Sequence, residues 1–140
     1  PPMDAILKLK RLSEHRERTA RIALASAERD RQAQEAVVAQ THQAIGEALL
    51  FGGDEPTDHL HRHGYALRME MARRGAERHL MERQRDVGVR REAVVVAARE
   101  KGTWERLSEL REASRLAELA RVEQNHLDEA GLQGWWRQER

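Results

Sequence analysis

Cysteine is absent from the 140 residues, so neither a disulfide framework nor a thiolate metal site can form. Aromatic residues are scarce, limited to Phe51, Tyr65, Trp104, Trp135 and Trp136, which argues against a large globular core. Pro1 and Pro2 precede Met3 and are left out of the helix assignment; beyond them proline occurs only at Pro56. An excess of one charge is missing as well. Lys and Arg number 25 against 24 Asp and Glu, a net charge of +1, so bulk charge gives no reason to expect nucleic acid as a partner. Long apolar runs are missing too: Ala93 to Ala98 and Ala48 to Phe51 fall far short of the roughly 20 residues that cross a bilayer. No basic-then-apolar leader opens the sequence, and the expectation is a cytoplasmic protein with neither a membrane span nor a secretion signal.

What remains is rich in Ala, Glu, Arg and Leu, with 35% charged residues and a mean hydropathy of -0.83, the composition of long helices meeting along narrow seams. One strong break interrupts it. Phe51, Gly52, Gly53, Asp54, Glu55, Pro56 and Thr57 gather two glycines and the internal proline. Asp54 or Thr57 is placed to cap the following helix, and Pro56 suits a first turn because its missing N–H has no partner there anyway. The sequence therefore predicts an all-α fold and a single helical-hairpin domain over residues 3–140. Helix 1 is expected at about 4–50, the turn at about 51–57, helix 2 at about 57–131, and a frayed tail at 132–140.

Along helix 1 the steps of three and four fall on Leu9, Leu12, Ala20, Ala23, Ala27, Val38, Ile45 and Ala48. The skipped steps hold Arg16, Asp30 or Arg31, Gln34 and Thr41, so the stripe is narrow and partly polar. In helix 2 the same steps give Leu60, Gly64, Leu67, Met71 and Gly75, then less regularly Met81, Val89, Ala93 and Val96. Glycine within a helix costs about 1 kcal/mol against alanine, so Gly64, Gly75, Gly88 and Gly102 are either sites of close backbone approach or simply tolerated.

Neither helix can bury its stripe alone, and one short turn makes any pairing antiparallel. The register expected from the turn pairs residue 34 with about residue 75. It sets residues 28–51, with two arginines and four acids, against residues 57–80, with five arginines and three acids. At a rise of 1.5 Å per residue the arms measure roughly 70 Å and roughly 110 Å. Helix 2 therefore overhangs. Its stretch from about Lys101 to Ala130 has no helix 1 opposite, yet it carries Leu107, Leu110, Ala113, Leu116, Ala120 and Leu127 near one face, which implies an external partner.

This segment also carries a family resemblance. Arg99-Glu100-Lys101 is followed by Trp104, Leu107 and Leu110, and then by Glu123-Gln124-Asn125-His126-Leu127-Asp128-Glu129-Ala130. Leu9, Lys10, Leu12 and Glu14 open the chain, and a glycine-containing turn precedes a helix bearing Tyr65. In these features the sequence resembles the FliJ family, with Leu127, Asp128 and Glu129 as its family-like C-terminal motif. The resemblance implies a coiled-coil stalk and escort protein of flagellar type III protein export, peripheral to the inner-membrane machinery. Its implied partners are the export ATPase hexamer, the cytoplasmic domain of the export gate and export chaperones. Tyr65, Met69 and Ala72 are the implied gate contacts; Leu9, Leu12, Leu107 and Leu110 are the implied contacts of the ATPase ring. The YscO-type injectisome stalk shares this architecture and stands as the alternative system.

Catalytic motifs are not found: there is no Gly-rich phosphate loop and no Gly-x-Ser-x-Gly element, so no enzyme activity, cofactor or metal is expected of the chain itself. Asp128 and Glu129 diverge on a helix and suit a solvated face. His59 and His63 lie one turn apart, with His61 pointing elsewhere, and two imidazoles alone make a weak metal site. Trp135 and Trp136 are either partner anchors or part of a frayed tail. Two rival functions remain. Nine arginines against four acids between Arg62 and Arg91 would suit a helical nucleic-acid-binding module, and a self-associating coiled coil would account for the stripes.

Overall fold

The computed structural model describes residues 2–50, 53 and 55–138. Two helices account for nearly all of them, α1 (Pro2–Leu50) and α2 (Pro56–Gln138), folded back on each other as an antiparallel hairpin. Phe51, Gly52 and Asp54, on which part of the expected turn rests, lie outside the described residues. Helix α2 starts as the sequence suggests, with Pro56 as its first residue; Asp58 N and His59 N both donate to the Glu55 carbonyl, at 3.0 and 3.2 Å. Thr57 lies inside the helix, so the carbonyl that opens it belongs to Glu55. At the other end α2 continues through 132–138, where a frayed tail was expected.

The chain divides into two compact units. Unit 1 holds residues up to Arg16 and from Ala98 onward; unit 2 holds Glu17–Ala97.

In unit 2 the shielded side of α1 is Glu17, Ala20, Leu24, Ala27, Arg31, Gln34, Val38, Thr41, Ile45 and Ala48, in strictly alternating steps of three and four. That seven-residue repeat is the signature of knobs-into-holes packing in a coiled coil. Facing it, α2 shields Arg62, Ala66, Met69, Arg73, Ala76 and Leu80 in steps of four and three, then Val87 and Val94 in steps of seven, and Ala97. Cross-helix ties confirm the pairing. Gln34 Nε2 donates to the Ala76 carbonyl at 2.9 Å, Arg83 lies 3.7 Å from Asp30, Arg91 lies 3.6 Å from Glu28, and His42 lies 3.4 Å from Glu77. The first pair fits the expected register to within a residue; the charged pairs reach further along α2. These exposed ion pairs contribute roughly 0 to 1 kcal/mol each and set register more than stability.

In unit 1 the shielded positions include Ile6, Lys10, Ser13 and Glu14 on α1 and Lys101, Trp104, Leu107 and Ser108 on α2, and Arg16 donates to Glu100 at 2.9 Å.

Two sequence expectations are corrected here. Leu9 and Leu12, expected on the α1 stripe, are exposed, while Ser13, only 1% exposed, takes the seam position and bonds back to the Lys10 carbonyl at 2.7 Å. On α2 the expected stripe has the wrong phase: Leu60 is 70% and Met71 72% exposed, and Leu67, Met81, Val89 and Val96 also face outward. The reason is the seam's composition. Arg62 and Arg73 occupy shielded positions on it beside the small Ala66, Ala76 and Ala97, so hydrophobicity alone does not mark the phase. Nor are the helical glycines sites of close approach: a Cβ at Gly64, Gly88 or Gly102 would meet nothing within 4 Å.

Candidate binding surfaces

Among the described residues, three stretches of exposed apolar surface bear on binding once the seam is formed. The first is on α2 in unit 1. From Glu109 to Gln138 every residue is exposed, Leu110, Leu116, Leu119, Val122, Leu127 and Leu132 among them. The overhang thus begins near Glu109, later than the Lys101 expected, because Trp104, Leu107 and Ser108 are still partly shielded from solvent. At about 100° per residue, the stripe of Leu110, Ala113, Leu116, Ala120 and Leu127 lies roughly 140° around α2 from the shielded positions Ala97, Lys101, Trp104 and Ser108. Continuing the seam's own phase past Ser108 leads instead to Arg111, Arg115 and Glu118. The leucines are therefore not a prolongation of the hairpin seam. Helical order in this segment draws on its own pairs, Arg115–Glu112 and Arg121–Glu118 at 2.6 Å and Gln124–Asp128 at 3.1 Å. The Arg115 guanidinium bonded to Glu112 holds that carboxyl below its ordinary value. At the distal end the Trp135 and Trp136 rings meet edge to face, centroids 5.7 Å apart, both exposed.

The second surface, on the N-terminal part of α1, presents Leu7, Leu9 and Leu12 to solvent. The third lies on α2 beside the turn. Tyr65 and Ala72 sit on one flank, both exposed, whereas Met69 is half-buried on the seam side. Of the three residues carried over by family resemblance, two are thus open to a partner and one also serves packing. On the opposite side of α2, Leu60, Leu67 and Met71 line up within about 40° of one another at helical spacing. Their helical spacing marks these three in the sequence as a stripe, expected in the seam; the structure turns it to solvent.

Charge is arranged around the third surface. Arg73 Nε donates to Glu70 at 2.9 Å and Nη1 to Glu77 at 2.8 Å, while Nη2 also bonds Glu70; Arg74 adds a longer pair to Glu70 at 3.6 Å. The hydrogen bonds from Arg73, outweighing the opposing effect of burial, lower the Glu70 carboxyl below its ordinary 4.5 and raise the guanidinium in return. Because the folded value is depressed, this pair supports the fold above the ordinary carboxylate range, and its contribution disappears as pH falls through the lowered value. A carboxyl NMR titration is expected to place Glu70 below 4.5, moving back toward it in Arg73→Gln; a Glu70 midpoint at or above 4.5 in the unaltered chain would contradict this network.

Of the nine arginines in the arginine-rich window, Arg73, Arg74, Arg83, Arg90 and Arg91 each face a carboxylate, while Arg62, Arg68, Arg78 and Arg85 face none among the described residues. His59 and His63 border a groove beside the turn, and among the described residues no cluster of three metal-ligating side chains is found. No described helix is long and apolar enough to cross a membrane.

No curated protein and no solved structure matches the chain. The family model of the flagellar FliJ protein matches residues 3–140, which takes in both helices, the turn and the exposed C-terminal segment. The chain belongs to the FliJ family and is a coiled-coil component of the flagellar type III protein export apparatus.

Proposed function

We propose that the chain acts as a stalk and escort protein that binds the export ATPase ring through the exposed segment of α2 and the cytoplasmic domain of the export gate through the Tyr65 flank. One observation carries this reading: the leucine stripe beyond Ser108 is exposed and out of phase with the hairpin seam, so the fold leaves it for another molecule. Leu9 and Leu12 support the same reading, since both point outward and are free to join Leu110 as ring contacts. Leu107 is half-buried against the hairpin, so its part in such a contact is to position the start of the stripe. Leu127 lies on that stripe and Asp128 on its polar border, where it sets which charge a partner must present, while Glu129 faces the far side of α2.

On this reading the protein performs no chemistry. ATP hydrolysis belongs to the ring, and the hairpin couples ring and gate by contact, with export chaperones as further partners. Its association with the inner-membrane machinery runs through protein contacts. The injectisome alternative uses the same surfaces; the family match favours the flagellar system.

The gate contact is tested with Tyr65→Ala combined with Ala72→Asp, leaving Met69 in place because it serves the seam. Loss of a tyrosine anchor and insertion of a charge are expected to weaken binding of the gate's cytoplasmic domain by about 2 kcal/mol or more. Unchanged affinity, measured by calorimetry, would remove this flank from the gate contact.

A further inference from the structure

Arg62 sits beside the turn in unit 2, where its donors are only partly used. Its Nη2 donates to the Gly53 carbonyl at 3.0 Å and faces His59 Nδ1 at 2.7 Å. Its Nε is shut off from solvent and has no hydrogen-bond partner. A buried donor on a charged group without an acceptor is rare and costly in a folded protein, and marks a place where a ligand can improve the accounting. Around it opens a groove of about 230 Å³ lined by Leu49, His59, Arg62, His63 and Ala66.

We infer that this groove binds a carboxylate carried by an acidic, partly apolar peptide segment of a partner protein. The Nε–Nη2 edge of a guanidinium is the edge that receives a carboxylate through two parallel N–H···O bonds; both Nη2 hydrogens are committed in the free chain, so Arg62 takes up the carboxylate by a rotation that exposes Nε and exchanges the Gly53 carbonyl for a ligand oxygen while the His59 bond is kept. His59 and His63 lie one helical turn apart on the same border. Because His59 Nδ1 accepts from Arg62, its remaining proton is on Nε2 and is free to donate to a second oxygen. The positive end of α2, which begins at Pro56, adds to the attraction within the first two turns. Asp58, the nearest carboxylate on α2, lies against Gly53, and α1 contributes the aliphatic Leu49. Leu49 and Ala66 suit the methylenes of a peptide and do not suit a fully hydrated inorganic phosphate. The inference rests on unit 2 alone and holds or fails independently of the export partners.

The test uses the full chain labelled with ¹⁵N-histidine at pH 7, titrated with three probes: the blocked peptide acetyl-Leu-Glu-Leu-Glu-amide, its counterpart with Gln in place of Glu, and inorganic phosphate. Imidazole signals of His59 and His63 are expected to shift with the Glu peptide and to stay still with the Gln peptide. Arg62→Gln is expected to weaken the response at least about tenfold, with Arg62→Lys between the two. His63→Gln, at an exposed position, removes one donor without touching the seam and is expected to weaken binding severalfold; it keeps the test valid if Arg62→Gln loses helix by circular dichroism. Equal response to the Glu and Gln peptides, no shift at either histidine, full affinity in both variants, or a response to phosphate alone would each overturn the carboxylate site.

Discussion

Replacing Leu110, Leu116 and Leu127 together by aspartate is expected to abolish stimulation of the export ATPase while leaving the hairpin folded. All three are exposed in the free protein, so the substitutions touch no packed neighbour and helical content should change little. In the complex each leucine would be covered, and burying such a side chain contributes about 1.5 to 3 kcal/mol, so losing three of them weakens binding by a factor of a thousand or more. Leu107 is left unchanged because its half-buried position would confuse a folding defect with a contact defect. The measurement is ATP turnover by the ring as a function of added stalk protein. Stimulation equal to that by the unaltered chain would show that the stripe is not the ring contact.

The second large effect concerns the seam. Val87→Asp is expected to destabilise the hairpin by several kcal/mol, whereas Val89→Asp, two residues away, should stay within about 0.5 kcal/mol. Val87 is 3% exposed and Val89 66% exposed, so one carboxylate would be forced between the helices and the other would enter water. Rescue by neighbours is limited. Arg83, Arg90 and Arg91 lie within one turn of residue 87, but they already face Asp30, Asp86 and Glu28, and recruiting one to a new carboxylate costs its present partner. Two helices share a narrow seam with little reserve, so urea melts followed by circular dichroism should show the Val87 variant largely unfolded where the Val89 variant is intact. Comparable midpoints for the two variants would contradict the assigned phase of α2.

That phase is where sequence and structure part. Two helices, the turn before Pro56 and the overhang of α2 were legible because glycine and proline punctuate sharply, and because no other break occurs in the chain. The face each helix buries was not. A seam that accepts Ser13, Glu17, Gln34 and Arg73 while leaving Leu60, Leu67 and Met71 in water has a seven-residue repeat of burial without a matching repeat of hydrophobicity. Glu17 is buried and paired with Arg21 one turn on; the spacing of the pair is legible in the sequence, its burial is not. Spacing alone marks Leu9, Leu12, Leu60 and Leu67 as parts of stripes, and a stripe says that something covers it but not what. The groove at Arg62 was half legible: the His59 and His63 spacing drew attention, but it is the guanidinium between them, tied to Gly53, that defines the chemistry.

The account depends most on the segment Glu109–Gln138 being uncovered in the free protein and covered in the export machinery. Hydrogen exchange of the full chain, with and without the export ATPase ring, measures this directly. Amides of residues 109–138 should exchange rapidly in the free chain, as expected of a helix without tertiary contacts, while amides near Ala27, Ala76 and Val87 stay protected; adding the ring should slow the 109–138 amides selectively. Strong protection of that segment in the free chain, or exchange unaffected by the ring, would mean that the leucine stripe is covered from within or serves another purpose.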